Sequence, residues 1–150
     1  MKKALFPGSF DPFTKGHEDI VRRALLLFDE VVIAIGHNSN KQRYFSLELM
    51  QDKISATFSS DPRVSVKVFQ GLTAQFARQE NAGFIVRGLR NTTDFEYENS
   101  ISQANHHVNP DLETVFLITN PGLSVITSTI VRDLHRYGAS VDSFLPYALP

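Results

Sequence analysis

Lys3 to Ile35, KALFPGSFDPFTKGHEDIVRRALLLFDEVVIAI, decides the fold. Lys3–Phe6 reads as a short buried strand and Glu30–Ile35 as a second. Between them Ile20, Val21, Ala24, Leu25 and Phe28 recur at helical spacing, from about Gly16 onward. Strand, helix, strand is a βαβ unit, whose two strands must run parallel. The rest of the chain repeats the alternation. Ser46 is placed to cap a helix from about Leu47 to Phe58, Val64–Phe69 alternates as a strand, and Thr73 to about Asn81 is helical. Phe84–Val86 is a short apolar strand, Asp94 to about His107 a helix and Thr114–Ile118 a strand. Ser128–Tyr137 is a helix that Gly138 stops. Five strands alternating with amphipathic helices predict an α/β fold: a Rossmann-like, doubly wound, five-stranded parallel sheet with helices on both faces. Val141–Pro150 is expected to dock as a tail through Phe144 and Leu145, and the polar loop from Gly36 to Arg43 is expected to be mobile.

The chain has 150 residues, 42% of them hydrophobic, which suits one domain with a single sizeable core, residues 1–150. A formal net charge of −1, from 15 basic and 16 acidic residues, leaves no global field for a long polyanion, so nucleic acid is not expected as a partner. Small phosphorylated ligands need only a local group of cations and stay open. Cysteine is absent, which excludes thiolate metal sites. No apolar run approaches the roughly 18 residues a membrane span needs, and the stretch before Pro7 is too short for a signal peptide. A cytoplasmic location with no membrane contact is the expectation.

In an open α/β sheet, ligands bind beyond the carboxyl ends of the strands, where strand order reverses, so the loops after the strands carry the functional signal. After the first strand, Gly8 and Gly16 allow close backbone approach, and the helix start puts His17 where an anion would sit. Neither a Walker loop nor a dinucleotide fingerprint is present. After the fourth strand come Arg87-Gly88-Leu89-Arg90, two forked cations suited to phosphate. Taken alone they read equally well as surface arginines paired with Asp94 or Glu96. After the fifth strand, Thr127, Ser128 and Thr129 crowd hydroxyls at a helix start, and an ordinary N-cap explains only one of them. His106 and His107 are adjacent on a helix and point apart, so no metal site is read there.

Together, Pro7-Gly8-Ser9-Phe10-Asp11-Pro12, Thr14-Lys15-Gly16-His17, Arg87-Gly88-Leu89-Arg90, Asp94-Phe95-Glu96-Tyr97-Glu98 and Ser128-Thr129-Ile130-Val131-Arg132 resemble the bacterial pantetheine-phosphate adenylyltransferases over essentially the whole chain. The T-x-G-H and S-T-x-x-R elements mark the wider nucleotidyltransferase superfamily; the R-G-L-R and D-F-E-Y-E pair narrows the match. The resemblance implies adenylyl transfer from ATP to 4′-phosphopantetheine, giving dephospho-coenzyme A and pyrophosphate. It further implies Mg2+ held mainly by the ATP phosphates, a homohexamer built as a dimer of trimers, and feedback by coenzyme A. It assigns the charge-stabilising set to His17, Lys41 and Arg90. Ser9, Lys41, Thr73 and Arg87 match positions that hold phosphopantetheine. Ser9, Phe10, His17, Gly88, Leu89, Arg90, Glu98, Leu123, Ser124, Val125, Ile126, Thr127, Ser128 and Thr129 match positions that hold ATP. Leu123 stands where relatives carry an aromatic. A nucleotidyltransferase with nicotinate mononucleotide or glycerol 3-phosphate as acceptor, or CTP as donor, is the enzymatic rival; a nucleotide-binding regulatory module without turnover is the other.

Overall fold

A computed structural model describes residues 1–150. Five strands, β1 (Lys3–Gly8), β2 (Glu30–Gly36), β3 (Val64–Phe69), β4 (Phe84–Leu89) and β5 (Glu113–Ile118), alternate with α1 (Lys15–Ala24), α2 (Leu47–Thr57), α3 (Thr73–Gln79) and α4 (Thr92–Val108); α5 (Ser128–Arg136) follows β5. The sheet order is β3-β2-β1-β4-β5, and every neighbouring pair is parallel. The chain winds outward from β1 to β3, then returns to the other side of β1 for β4. Strand order therefore reverses between β1 and β4, the crevice position expected of a doubly wound sheet.

The strands' alternation sorts side chains to two faces. Ala4, Phe6, Val31, Ile33 and Ile35 meet Ile20, Val21 and Ala24 of α1 and Met50 and Ile54 of α2 in the larger core. Leu5, Val32, Ala34 and Ile85 meet Ala74 and Ala77 of α3 on the other, with Val108 of α4 packed against them. Both faces are thus covered, as the near-continuous apolar strands require. Val131, Val141 and Leu145 form a third small cluster with Phe144 against it, so the tail docks as expected. No helix is long and apolar enough to cross a membrane.

Several boundaries differ from the sequence reading, and three of them bear on the site or the core around it. β1 extends past Phe6, because Pro7 and Gly8 stay in register with Ala34 and Ile35. β4 extends past Val86, because Arg87, Gly88 and Leu89 pair opposite Phe116, Leu117 and Ile118. The arginine motif is therefore mostly strand, and only Arg90 lies beyond it. α1 ends at Ala24, not near Phe28, and Leu26 and Leu27 are left exposed in the turn that follows.

Candidate active site

Thr14 starts α1 with a capping box. Its hydroxyl faces the His17 amide, and its own amide donates to His17 Nδ1 at 2.9 Å. That bond puts the imidazole proton on Nε2, leaving an N–H donor free. The ring sits among three phenylalanines, its centroid 6.1 Å from Phe6, 5.1 Å from Phe10 and 5.3 Å from Phe13. Burial in this surround, then the charges of Arg87 and Arg90, lower the His17 pKa to about 3. At neutral pH the group facing the cleft is a neutral hydrogen-bond donor and not an imidazolium, on a ring that is partly buried.

The cleft at the β1/β4 switch point has a volume of about 310 Å3. Thr14, Gly16, His17 and Ile20 form one wall, Arg87, Gly88 and Arg90 the floor, Asp94 and Glu98 of α4 a second wall, and Leu123 and Ile126–Thr129 a third. Two helix starts thus meet it. The amides of Gly16 in α1, and of Ser128 and Thr129 in α5, have no intrahelical acceptor, so three donors and two positive dipole ends border one space.

Both arginines are paired, Arg90 with Asp94, one of the partners read from sequence, and Arg87 with Glu98, which is not among them. Arg87 makes a bidentate pair with buried Glu98 (Nε–Oε2 2.9 Å, Nη2–Oε1 2.6 Å) and donates to the Pro7 carbonyl. Arg90 makes the equivalent pair with Asp94 (Nε–Oδ2 2.9 Å, Nη2–Oδ1 3.2 Å), which also accepts the Arg90 amide at 3.0 Å. The Arg90 hydrogen bonds hold the Asp94 carboxyl below the usual range, and Asp94 in turn raises the Arg90 pKa. The sequence reading gives Asp94 no site role; its spacing four residues before Glu98, on one helix face, is the available signal. Glu96 pairs with neither arginine.

The hydroxyl run has a more structural use than the sequence suggests. Thr127 caps α5 by accepting the Ile130 amide at 3.1 Å, Ser128 donates to the Pro12 carbonyl at 2.8 Å, and Thr129 accepts from Arg132 at 3.2 Å. Thr127 and Thr129 keep a hydroxyl hydrogen to offer; Ser128 has spent its own.

Of the residues named from sequence, His17, Gly88, Arg90, Glu98, Leu123, Ile126, Thr127, Ser128 and Thr129 share the cleft. Arg87 and Glu98 form the wall between it and a second hollow of about 240 Å3, lined by Thr73 and by Ile101, Ser102 and Asn105 of α4. Lys41 lies outside the cleft. It lines a recess of about 590 Å3 with Ser9, Asp11, Arg43, Arg132 and Arg136. The reason is topological: its loop leaves β2, two strands from β4, which sets it roughly 10 Å to the side at the ordinary strand spacing. The expected meeting of an imidazole, an ammonium and a guanidinium in a single cavity therefore holds for His17 and Arg90 only. Phe10 is core, 3% exposed, so its ring serves the cleft through His17. Val125 points outward at 72% exposure, Ser124 donates to the Pro121 carbonyl, and Leu89 ends β4 without lining the cleft.

The cytidylyltransferase-like family model matches residues 5–134. Over 148 residues the chain is 61% identical to a phosphopantetheine adenylyltransferase of Cytophaga hutchinsonii, covering 99% of each. It is 50% identical over 149 residues to one of Flavobacterium johnsoniae, covering 99% of this chain and 97% of the relative. Among solved structures it is similar to a bifunctional NMN adenylyltransferase/ADP ribose pyrophosphatase from Francisella tularensis, with a TM-score of 0.75 and 18% identity. The match takes in 99% of this chain and 46% of that one, and is a likeness of fold.

Proposed function

The chain belongs to the phosphopantetheine adenylyltransferase family, nucleotidyltransferase enzymes of the cytidylyltransferase-like group, and from that premise we propose its reaction in detail. ATP and 4′-phosphopantetheine give dephospho-coenzyme A and pyrophosphate, the penultimate step of coenzyme A biosynthesis. The observation that carries this reading is the neutral His17, its Nε2–H free, beside Arg90 and between two helix starts: a site made to receive charge on a phosphate.

The acceptor phosphate has a second pKa of about 6 and is largely dianionic near neutrality, so it attacks without a general base. One of its oxygens bonds to the α-phosphorus as the bond from that phosphorus to the β-bridging oxygen breaks, and pyrophosphate leaves with the electron pair. His17 donates from Nε2 to the α-phosphate oxygens as their charge grows, and Arg90 and the α5 amides stabilise the same charge. Lys41, exposed and in no ion pair, reaches the phosphates when its loop closes from the side. The second hollow, with Thr73 and the Arg87–Glu98 wall, takes the pantetheine arm. Both cleft carboxylates are engaged by arginines, so a magnesium ion would be held mainly by phosphate oxygens and water and would supply screening of the triphosphate charge. A homohexamer in the cytoplasm with coenzyme A feedback completes the proposal; exposed Phe95, Tyr97 and Ile101 on α4 are apolar surface that an assembly would cover.

The test is pyrophosphate release from ATP with phosphopantetheine, nicotinate mononucleotide and glycerol 3-phosphate compared side by side. Turnover with phosphopantetheine alone is expected. Turnover with another acceptor instead reassigns the substrate, and tight ATP binding with no turnover makes the chain a sensor. His17→Ala should lower kcat by roughly 10²-fold or more with modest loss of ATP affinity.

A further inference from the structure

The loop between β1 and α1, which carries Ser9 and leads to His17, has its carbonyls taken one after another by side chains from elsewhere. Arg43 donates from Nη1 to Ser9 O at 2.6 Å and from Nη2 to Phe10 O at 2.9 Å. Arg132 takes Asp11 O at 2.7 Å, Ser128 takes Pro12 O at 2.8 Å, and Tyr147 of the tail takes Phe13 O at 2.6 Å. No carbonyl of the chain accepts from the amides of Ser9, Phe10, Asp11 or Phe13. The loop's polarity is thus sorted. Its oxygens, which would repel a phosphate, are tied to donors, while its amide hydrogens are left over for an anion.

Arg43 does more than the other three. Its Nε donates to Phe45 O at 3.0 Å, and the Asp11 carboxylate accepts from the amides of Tyr44 at 2.9 Å and Phe45 at 2.8 Å. One guanidinium therefore laces the loop bearing Lys41 to the loop bearing Ser9. Burial opposes its charge and Asp11, 4.0 Å away, supports it. Phe10 adds a second sign of constraint: its φ of +47° is a region a bulky residue keeps only when its surroundings hold it there. Arg43 on its carbonyl, with the rings of Phe6 and Phe13 beside its own, supplies that hold.

We propose that Arg43 is a positioning residue for the transfer reaction, keeping the Ser9 and Phe10 amides turned toward the phosphates and setting the approach of the Lys41 loop. The inference rests on the reading of the site as one for phosphoryl groups. A lysine could not replace it, because one ammonium cannot span three carbonyls on two loops in the fixed fork a guanidinium offers.

The experiment compares wild type, Arg43→Ala and Arg43→Lys by initial rates, varying ATP and phosphopantetheine separately. Amide hydrogen exchange of residues 9–13 is followed alongside, with and without sodium pyrophosphate. For Arg43→Ala the acceptor KM should rise by about tenfold or more and the ATP KM by less than about threefold, since the wall from Leu123 to Thr129 is untouched. Exchange at Ser9 and Phe10 should quicken and lose its protection by pyrophosphate, with Arg43→Lys between the two. An acceptor KM within about twofold of wild type, equal rises in both KM values, or unchanged exchange at Ser9 and Phe10 overturns the role. Should Arg43→Ala be too unstable to assay, the same criteria applied to Arg43→Lys decide. If wild type fails to turn over phosphopantetheine, the proposed function falls; pyrophosphate protection of those two amides, and its loss in the variants, still judges Arg43 on its own.

Discussion

Part of this protein's sensitivity to acid should come from one imidazole. In the folded chain the His17 pKa is about 3, because packing against phenylalanine rings removes part of its hydration and two guanidinium groups then oppose its charge. Unfolded, it titrates near its ordinary value of about 6.5. Between those values the unfolded chain binds a proton that the native chain does not. The stability tied to this group is whole above about pH 6.5 and drains away as pH falls toward 3. At about 1.4 kcal/mol per pH unit, lowering the pH from about 6.5 to about 4 removes roughly 3 kcal/mol, which water at the ring's open edge trims toward about 2. His17→Gln isolates the effect: a glutamine three residues after Thr14 completes the same capping box, so the helix start is kept while the titrating group is removed. Urea unfolding of both proteins near pH 7 and near pH 4 supplies the comparison. Wild type should lose about 2–3 kcal/mol more than the variant on acidification. Losses equal within about 0.5 kcal/mol would mean that the imidazole is not held neutral, and the reasoning about its donor role would fail with it.

Glu98→Gln should cost about 2 kcal/mol in thermal or urea unfolding, since it leaves the half-buried Arg87 without its carboxylate; a cost under about 0.5 kcal/mol would show the pair to be ornamental to the fold. Gly88→Ala would bring a methyl to 3.1 Å from Ile20 Cδ1 in the cleft floor. Stability should fall by about 1 kcal/mol and the ATP KM rise several-fold, and an unchanged KM would show that the nucleotide does not pass over this residue. The acceptor kcat/KM should decline below about pH 6 as the substrate phosphate takes its second proton, with the same inflection in His17→Gln. A shift of that inflection by more than about half a unit in the variant would assign it to the imidazole instead.

Much of this architecture is written locally. The apolar runs at Lys3–Phe6 and Glu30–Ile35 and the helical spacing between them suffice for a βαβ unit, and Ser46 and Gly138 mark helix ends where the structure has them. The strand ends escape that reading because Gly8 and Arg87–Leu89 are held by backbone pairing, which side-chain hydrophobicity does not encode. In the site, His17 and Arg90 are legible from residue type and position after a strand. Lys41 is legible as a cation but not as one lodged in a neighbouring recess, because strand order rather than sequence order fixes its distance from Arg90. Arg43 gives no signal at all. Its partners are the carbonyls of Ser9 and Phe10, more than thirty residues away, and a carbonyl looks the same in every residue.

Gly8 has a reach beyond its own strand. A methyl group there would stand 2.9 Å from the ring of Phe10, so any larger residue at position 8 must evict that ring. The displaced aromatic is one of the rings that limit the access of water to His17. The basicity of the histidine is therefore governed in part by a residue it never touches, and a lineage or a designer that enlarges position 8 must shrink position 10 and accept a histidine readier to take a proton.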